Sequence, residues 1–454
     1  MHFHRSALTA WAAFLAVPLA AQQSDSARRA DSLMSAREHE RIAHEPRSRD
    51  TTLPPSLHLT RKEAIAMALA NNPTIVIARE QVAQSRARVT QATAFPDPTF
   101  GFTVQGFQGP LWPRPAFETD LMFGVTIPFP QKFWLKGQLA DGDLGSLEAA
   151  YTLQRQLIQA QTSLAYDSLL VSLKHREDFL VARQLSADFL KKTEARFTAG
   201  TAARLDVVKA MVGVAQSEND LIANERGVAN ARAALNRLLG RVLGADVIAE
   251  DTLAIVDVPA DFDRLRRVAM ARRPELFGIT RQIAAANAGE SLAQQYWMPD
   301  LNVGVTYNNP YGFPSSYTTG VGVSVPLLFW QHQNGEVAEA KHRQLELAAA
   351  QKDVIAQVDQ DLRNAYSTAT TAYRQAVFIR DQLLPSAQEQ YAIAFKTYTL
   401  GGSSALEVID AQRTLLDARD QFATALGALN DALADLERAV GAPLDSTPPD
   451  PKND

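Results

Sequence analysis

Tyr398-Thr-Leu-Gly-Gly-Ser-Ser-Ala-Leu-Glu-Val-Ile-Asp410 decides the fold, because the chain contains this stretch twice. Its earlier copy is Phe197-Thr-Ala-Gly-Thr-Ala-Ala-Arg-Leu-Asp-Val-Val-Lys209. Each interrupts a long helical pattern, with a glycine where a helix stops and a Ser or Thr where the next is capped. Helix resumes at once: Leu205, Val208 and Ala210 in the first copy correspond to Leu406, Ile409 and Ala411 in the second. Two long helices joined through a few residues form a helical hairpin. The chain holds two.

Outward from these turns the same landmarks recur. Pro274 repeats Pro73 and Gly401 repeats Gly200, both at an offset of 201 residues. Leu436-Glu-Arg-Ala-Val-Gly441 repeats Leu235-Asn-Arg-Leu-Leu-Gly240 at the same offset. Met298-Pro-Asp300 repeats Phe95-Pro-Asp97, and Gly322-Val-Ser-Val-Pro326 repeats Gly124-Val-Thr-Ile-Pro128. Five landmarks that hold one offset to within a few residues indicate a tandem duplication. The first repeat spans 59–258, with a strand pair at about 99–128 and a hairpin turn at about 197–204. The second spans 259–441, with a strand pair at about 301–326 and a turn at about 398–405. Residues 442–454 form a flexible tail.

The helical parts are long. No proline occurs from about 132 to 196, which predicts roughly 95 Å of helix, more than a globular domain needs. In the second copy Val358, Leu362, Ala365, Ala369, Ala372, Ala376, Ile379 and Leu383 alternate steps of four and three, a coiled-coil seam. A matching stripe runs from Val408 to Val440 with one stutter. Hairpins of this length need lateral partners, and a ring of helices is one solution.

Between the helices the period changes to two. Phe100, Phe102 and Val104 alternate with Gly101, Thr103 and Gln105. After a proline-rich loop at 108–117, Leu121, Phe123, Val125 and Ile127 alternate with polar or small partners. The second copy repeats this, with Val303, Val305 and Tyr307 on one strand and Val321, Val323 and Val325 on the other. An apolar outer face and a face of Gly, Thr, Asn and Ser suit a wall between lipid and a water-filled lumen. Four strands close no barrel, and open edges are not tolerated in lipid. Three chains supply twelve strands. Trp112, Phe107, Phe117, Tyr311 and Phe313 then lie near the membrane interface. A small soluble sheet capping a coiled coil is the competing reading.

Arg5 and an apolar run at 7–20 read as a signal peptide over residues 1–21; an uncleaved buried helix is the alternative. Residues 22–58 form a polar extension whose scattered histidines, His39, His44 and His58, read as solvated rather than metal-binding. A net charge of −5 without a basic stripe argues against nucleic acid. The absence of cysteine excludes disulfides, thiolate chemistry and N-terminal lipoprotein acylation. No phosphate loop, His-Glu-x-x-His or nucleophile elbow occurs, so neither an enzyme nor a cofactor is expected.

The duplication, the strand pairs led by Pro-Asp-Pro98 and Pro-Asp300, and the two turns together resemble the TolC-like outer-membrane efflux family over about 59–441. Pro128-Phe-Pro-Gln-Lys132 is similar to the segment leaving the barrel in heavy-metal (cation) members, which have Gly where Gln131 stands. The resemblance implies a mainly α fold with a small β part. In it three chains form a homotrimer: a twelve-stranded β-barrel across the outer-membrane lipid and an α-barrel crossing the periplasm. It implies an iris-like gate at the hairpin turns, where Gly200, Thr201, Gly401, Gly402 and Ser403 meet a membrane-fusion adaptor and its inner-membrane pump. By position the gate carboxylates are Glu407 and Asp410. The tip lock is Tyr398 with Asp206; Ser403 replaces the usual basic residue, and Arg204 stands in for it. Metal, drug and protein cargo all stay open. An exported coiled-coil scaffold or adhesion protein without a pore explains the helices but not the two-faced strands. An adaptor would have one hairpin, not two.

Overall fold

The computed structural model describes residues 56–109, 112–310 and 313–444, and the side chains of 107–117 fall outside that description. The signal peptide, most of the polar extension, the tail beyond 444, and the belt residues Trp112, Phe107, Phe117 and Tyr311 therefore lie outside it too. Each repeat opens with a helical corner: α1 (Arg61–Asn71) and α2 (Pro73–Ala92) in the first, α5 (Phe262–Arg272) and α6 (Pro274–Gln294) in the second. Thr60 and Glu63 cap α1 reciprocally, since each backbone N–H meets the other's side chain.

The corners are tied down by different chemistry at equivalent places. Buried Asn72 caps α2 through Thr74 N–H and donates to Leu238 O at 3.0 Å. At the same point in the second repeat, buried Arg273 donates to Arg438 O and pairs with Glu275 and Asp361.

Four long strands follow from the two pairs: β2 (Thr99–Gly109), β3 (Trp112–Ile127), β5 (Asp300–Asn309) and β6 (Ser316–Ser324). They form one antiparallel sheet in the order β2-β3-β5-β6. The expected loop at 108–117 is mostly strand: β2 and β3 pair out to Gly109 and Trp112, past a bulge after Phe107. Pro113 and Pro115 are accommodated because β3 pairs with β5 only from Thr119 onward, so that stretch has one neighbour. Directly paired positions fall on one face. Phe102, Leu121, Tyr307 and Tyr317 make one apolar rung, and Phe100, Phe123 and Val305 the next. The opposite face carries rungs such as Thr103, Asp120, Asn308 and Ser316, and one rung of glycines, Gly124, Gly304 and Gly320.

The helical part begins with α3 (Pro130–Thr198), which turns into α4 (Arg204–Leu238). Beyond it, β4 (Val247–Ala249) pairs in parallel with β1 (Leu57–Leu59). The second hairpin is α7 (Phe329–Phe378), a π-helical turn (Ile379–Leu383), α8 (Leu384–Thr399) and the returning α9 (Ala405–Val440). Pro385 explains the interruption. It has no N–H and its ring presses on the carbonyl four residues back, so one wider turn, with Leu384 N–H bonded to Ile379 O, absorbs the strain.

Each repeat has its own core. Leu59, Ala64, Ala68, Tyr166, Leu169 and Leu235 centre the first; Leu265, Ala269, Leu362, Leu429, Leu436 and Val440 centre the second. The α7 seam is buried at Val358, Leu362, Ala369, Ala372 and Ala376, against the α9 stripe. Where the repeats meet, fully buried Asp167 on α3 accepts from Arg61, while Asp431 stands nearby on α9. Burial pushes Asp167 up to about 7, against the pull of Arg61 and aided by Asp431, which burial itself raises to about 6.

Candidate functional site

The two hairpin turns are built alike. Gly200 and Gly401 have φ of +75° and +88°, which only glycine adopts readily, and each ends its helix in a Schellman motif. Thr201 N–H reaches Arg196 O and Gly402 N–H reaches Thr397 O, both at 2.9 Å. Ser404 caps α9 by accepting from Glu407 N–H, and its hydroxyl donates to the Glu407 carboxylate. Ala203 cannot cap α4 with a side chain, so Asp206 turns back to accept from Ala203 N–H.

Between the turns lies a small core shared by both hairpins: Phe189, Ala210, Tyr398, Ala405 and Val408. Tyr398 is 2 % exposed; its ring lies 5.3 Å from that of Phe189, and its hydroxyl donates to Thr193 Oγ1 at 3.2 Å. The expected Tyr398–Asp206 lock is thus replaced within the chain: the hydroxyl goes to α3, and Asp206 serves its own helix. Arg204 does not stand in for the missing base either. Its guanidinium sits over Phe197 of its own hairpin, and Ser403 bonds to Ala394 O of its own.

Arg196, absent from the expected site, is the basic residue that reaches Tyr398. It donates to Tyr398 O at 2.5 Å and to Thr201 O at 3.1 Å, with its guanidinium 4.4 Å from the Tyr398 ring centre. The available signal was a basic residue in the last helical turn, where bare carbonyls attract cations. Glu407 and Asp410 stand exposed on α9 beside Leu406, on the side away from buried Val408 and Ala411.

Above the tip, α3 and α9 are cross-linked by polar pairs: Gln412 to Ser186 at 2.7 Å, Arg419 to Asp178 at 3.3 Å, and His175 to Asp420 at 3.2 Å. Burial raises Asp178, while Lys174 and Arg419 oppose the shift. These pairs border a groove of about 530 Å³ between α3, α4 and α9. At the other end of the helices, Lys132 bridges the repeats where they leave the sheet, bonding Met298 O at 2.6 Å and Asp300 at 3.1 Å. Among the described residues no group of His, Asp or Glu could hold a metal ion, and no helix is long and apolar enough to cross a membrane.

A duplicated pair of long helical hairpins, carrying a two-faced strand pair per repeat, is the architecture of the TolC-like outer-membrane channels. The outer-membrane channel OprN superimposes with a TM-score of 0.74 at 19 % identity, covering 84 % of this chain and 90 % of that one. CusC superimposes at 0.73 and 18 %, covering 84 % and 92 %. Residues 265–442 match the outer membrane efflux protein family. The chain is 25 % identical over 392 residues to the pyoverdine export outer membrane protein OpmQ of Pseudomonas putida (80 % of this chain, 81 % of that one). It is 22 % identical over 389 residues to the cobalt-zinc-cadmium resistance protein CzcC of Cupriavidus metallidurans (84 % and 90 %). The resemblance to the TolC-like outer-membrane efflux family stands.

Proposed function

We propose that this chain is the outer-membrane channel of a tripartite efflux system, a passive conduit from periplasm to exterior. Three copies close a twelve-stranded barrel in the outer membrane and an α-barrel below it. The observation that carries the proposal is the sheet. Its apolar face is bare, with Phe100 70 %, Tyr317 78 % and Val321 72 % exposed, and β2 and β6 each have an unpaired edge. An open sheet with such a face is an aggregation hazard in water. In lipid it is viable only when the edges pair with further copies. At the base of the sheet, Phe95, Trp134, Trp297 and Trp330 are all exposed, as a girdle at the membrane interface needs.

The helices support the same assembly. Beyond the seam it buries against α3, α4 exposes a second stripe at Leu205, Val208, Val212 and Ile222, spaced for another helix. A neighbouring copy covers it. The tips then converge, and Glu407 and Asp410 of three chains ring one aperture with carboxylates that favour cations. The relatives' names span pyoverdine export and cobalt-zinc-cadmium resistance, which fits a conduit whose cargo is chosen by an inner-membrane pump through a periplasmic adaptor. A scaffold without a pore leaves the sheet's apolar face uncovered.

The chain contains no cysteine, so variants carrying one cysteine on β2 and one on β6 report edge-to-edge pairing. Oxidation in outer-membrane fractions is expected to give a covalent trimer for the pairs in register. Monomers at every position, from a product that washes off with salt, would contradict the channel.

A further inference from the structure

We propose that the joint between α3 and α9 is a pH-sensitive device, held together by a proton that Asp167 and Asp431 share and loosened as the surroundings turn alkaline; its consequence for transport rests on the channel reading above. The two helices run antiparallel, first repeat against second, so close that a Cβ on Gly427 would lie 2.5 Å from Val171 Cγ2. One turn beyond that crossing each helix contributes a carboxylate, Asp167 on α3 and Asp431 on α9. Asp167 is fully buried and its Oδ2 has no hydrogen-bond partner; Asp431 Oδ1 is likewise buried and unpartnered. One cation serves them: Arg61 on α1 donates to Asp167 Oδ1 and, at 3.3 Å, to Asn430 Oδ1. Asp251, after β4, accepts from Arg61 N–H and adds a third negative charge, and Asp435 adds to it from α9. From α4 this core receives apolar Val228, Ala231 and Leu235, while Arg232 is held by Asp246 and Glu250 pairs with His58.

Carboxylates on facing helices, outnumbering the one guanidinium in their core, are relieved at least cost by a proton. Burial is the main cause that pushes Asp167 up to about 7, with Asp431 and Asp251 opposing the pull of Arg61. Once the proton leaves, Asp167 is sealed in, and relief comes from α9 drawing half-buried Asp431 toward water. Two turns below, His175 pairs with Asp420 at 3.2 Å, an attraction that also lapses when the ring loses its proton. Asp417 on α9 and Asp220 on α4 line the groove beside that histidine, and Arg419 and Lys174 are engaged by Asp178. From Asp431, α9 runs about 39 Å to Ala405, so a small tilt at the joint shifts the tip that carries Glu407 and Asp410.

Labelling of a buried cysteine tests this in the full-length protein, because the chain has none of its own. Ala423→Cys puts a thiol on the sealed face of α9, one turn from Gly427. Its rate with a maleimide at each pH, divided by that of free cysteine, reports how often the joint opens. A carboxyl near pH 7 in the shut joint and near 4 in water predicts a rise of about tenfold from pH 6 to pH 8. Asp167→Asn keeps an acceptor for Arg61 and cannot ionise, so it should cut the rise to about twofold, the share left to His175 and exposed Asp420. Asp431→Asn should give an intermediate rise, and it carries the comparison should Asp167→Asn not fold. A flat parent, or a rise that these variants leave whole, overturns the device. Mean conductance in planar bilayers should climb along the same curve, and conductance that stays level while labelling climbs overturns the consequence for transport. A protein that labels as expected yet never conducts overturns the channel reading and leaves the joint standing.

Discussion

Asp167 is the residue whose burial has the clearest thermodynamic consequence. One guanidinium, that of Arg61, faces it while Asp431 and Asp251 add like charge. Its pKa near 7 exceeds the ordinary carboxylate value of about 4, so the folded chain binds this proton more tightly than the unfolded one. Stability contributed here is complete below about pH 4 and falls as pH rises to about 7. Asp167→Asn should flatten that slope and add on the order of 2 kcal/mol at pH 8, read from denaturation midpoints in detergent across pH 4–8. Equal slopes in parent and variant would remove Asp167 from this role. At the proposed gate, Glu407→Gln with Asp410→Asn should lower cation preference in reversal-potential measurements, and unchanged selectivity would remove both residues from it. The exposure of both acids follows from helix period, since they lie away from buried Val408 and Ala411, whereas their place at a gate came from the resemblance. The partner of Tyr398 was not legible: it depends on which side of the α3 surface the second hairpin meets, and no spacing in the chain encodes that.

Among the elements, close helix crossings and the π turn invite direct tests. Gly142 lets α3 approach α6 so closely that a Cβ there would lie 2.6 Å from Ala285 Cβ and 3.0 Å from Arg281 O. Backbone cannot yield as a side-chain tip can, so Gly142→Ala should cost about 1–3 kcal/mol. Gly213 on α4 meets nothing within 4 Å, and Gly213→Ala should be neutral or gain up to about 1 kcal/mol from helix propensity. Thermal midpoints that rank the two the other way would refute the close approach. In the second hairpin, deleting exposed Gln382 converts the π turn to α-helix and returns Pro385 to a clash worth about 3 kcal/mol. Adding Pro385→Ala to the deletion should recover the loss. The seams of α7 and α9 could be read residue by residue because apolar period is a local signal. The π turn needed Pro385 weighed against a helix that tertiary packing keeps going. Strands β1 and β4 are three residues each, too short for any period to register.

At the scale of the whole molecule, the duplication organises everything, yet the copies are not interchangeable. Asn72 and Arg273 hold equivalent corners by an amide in one repeat and an ion network in the other. Lys132 and Asp300 join the copies where helices meet sheet, with Asp300 also accepting from Phe129 N–H. Lys132→Met should loosen this junction by about 1 kcal/mol, because a part-buried carboxylate loses its cation. The effect should appear as a lower midpoint for dissociation of the assembly on heating in detergent, and an unchanged midpoint would mark the pair as incidental. The twofold repeat was visible in the sequence as one offset. The number of copies that complete the wall was not, since a chain carries no record of its neighbours beyond the faces it leaves uncovered.

The rung of glycines across β3, β5 and β6 has a practical corollary. Gly124, Gly304 and Gly320 bare the backbone at one height on the hydrated face of the sheet, and a Cβ at Gly320 would meet nothing within 4 Å. In the barrel proposed above, that height, where only Thr99 of β2 adds a side chain, would form a collar at which the bore loses little width. If that bore conducts, an indole placed at residue 320 would narrow it there without disturbing the strands, because a Cβ at that position meets nothing within 4 Å.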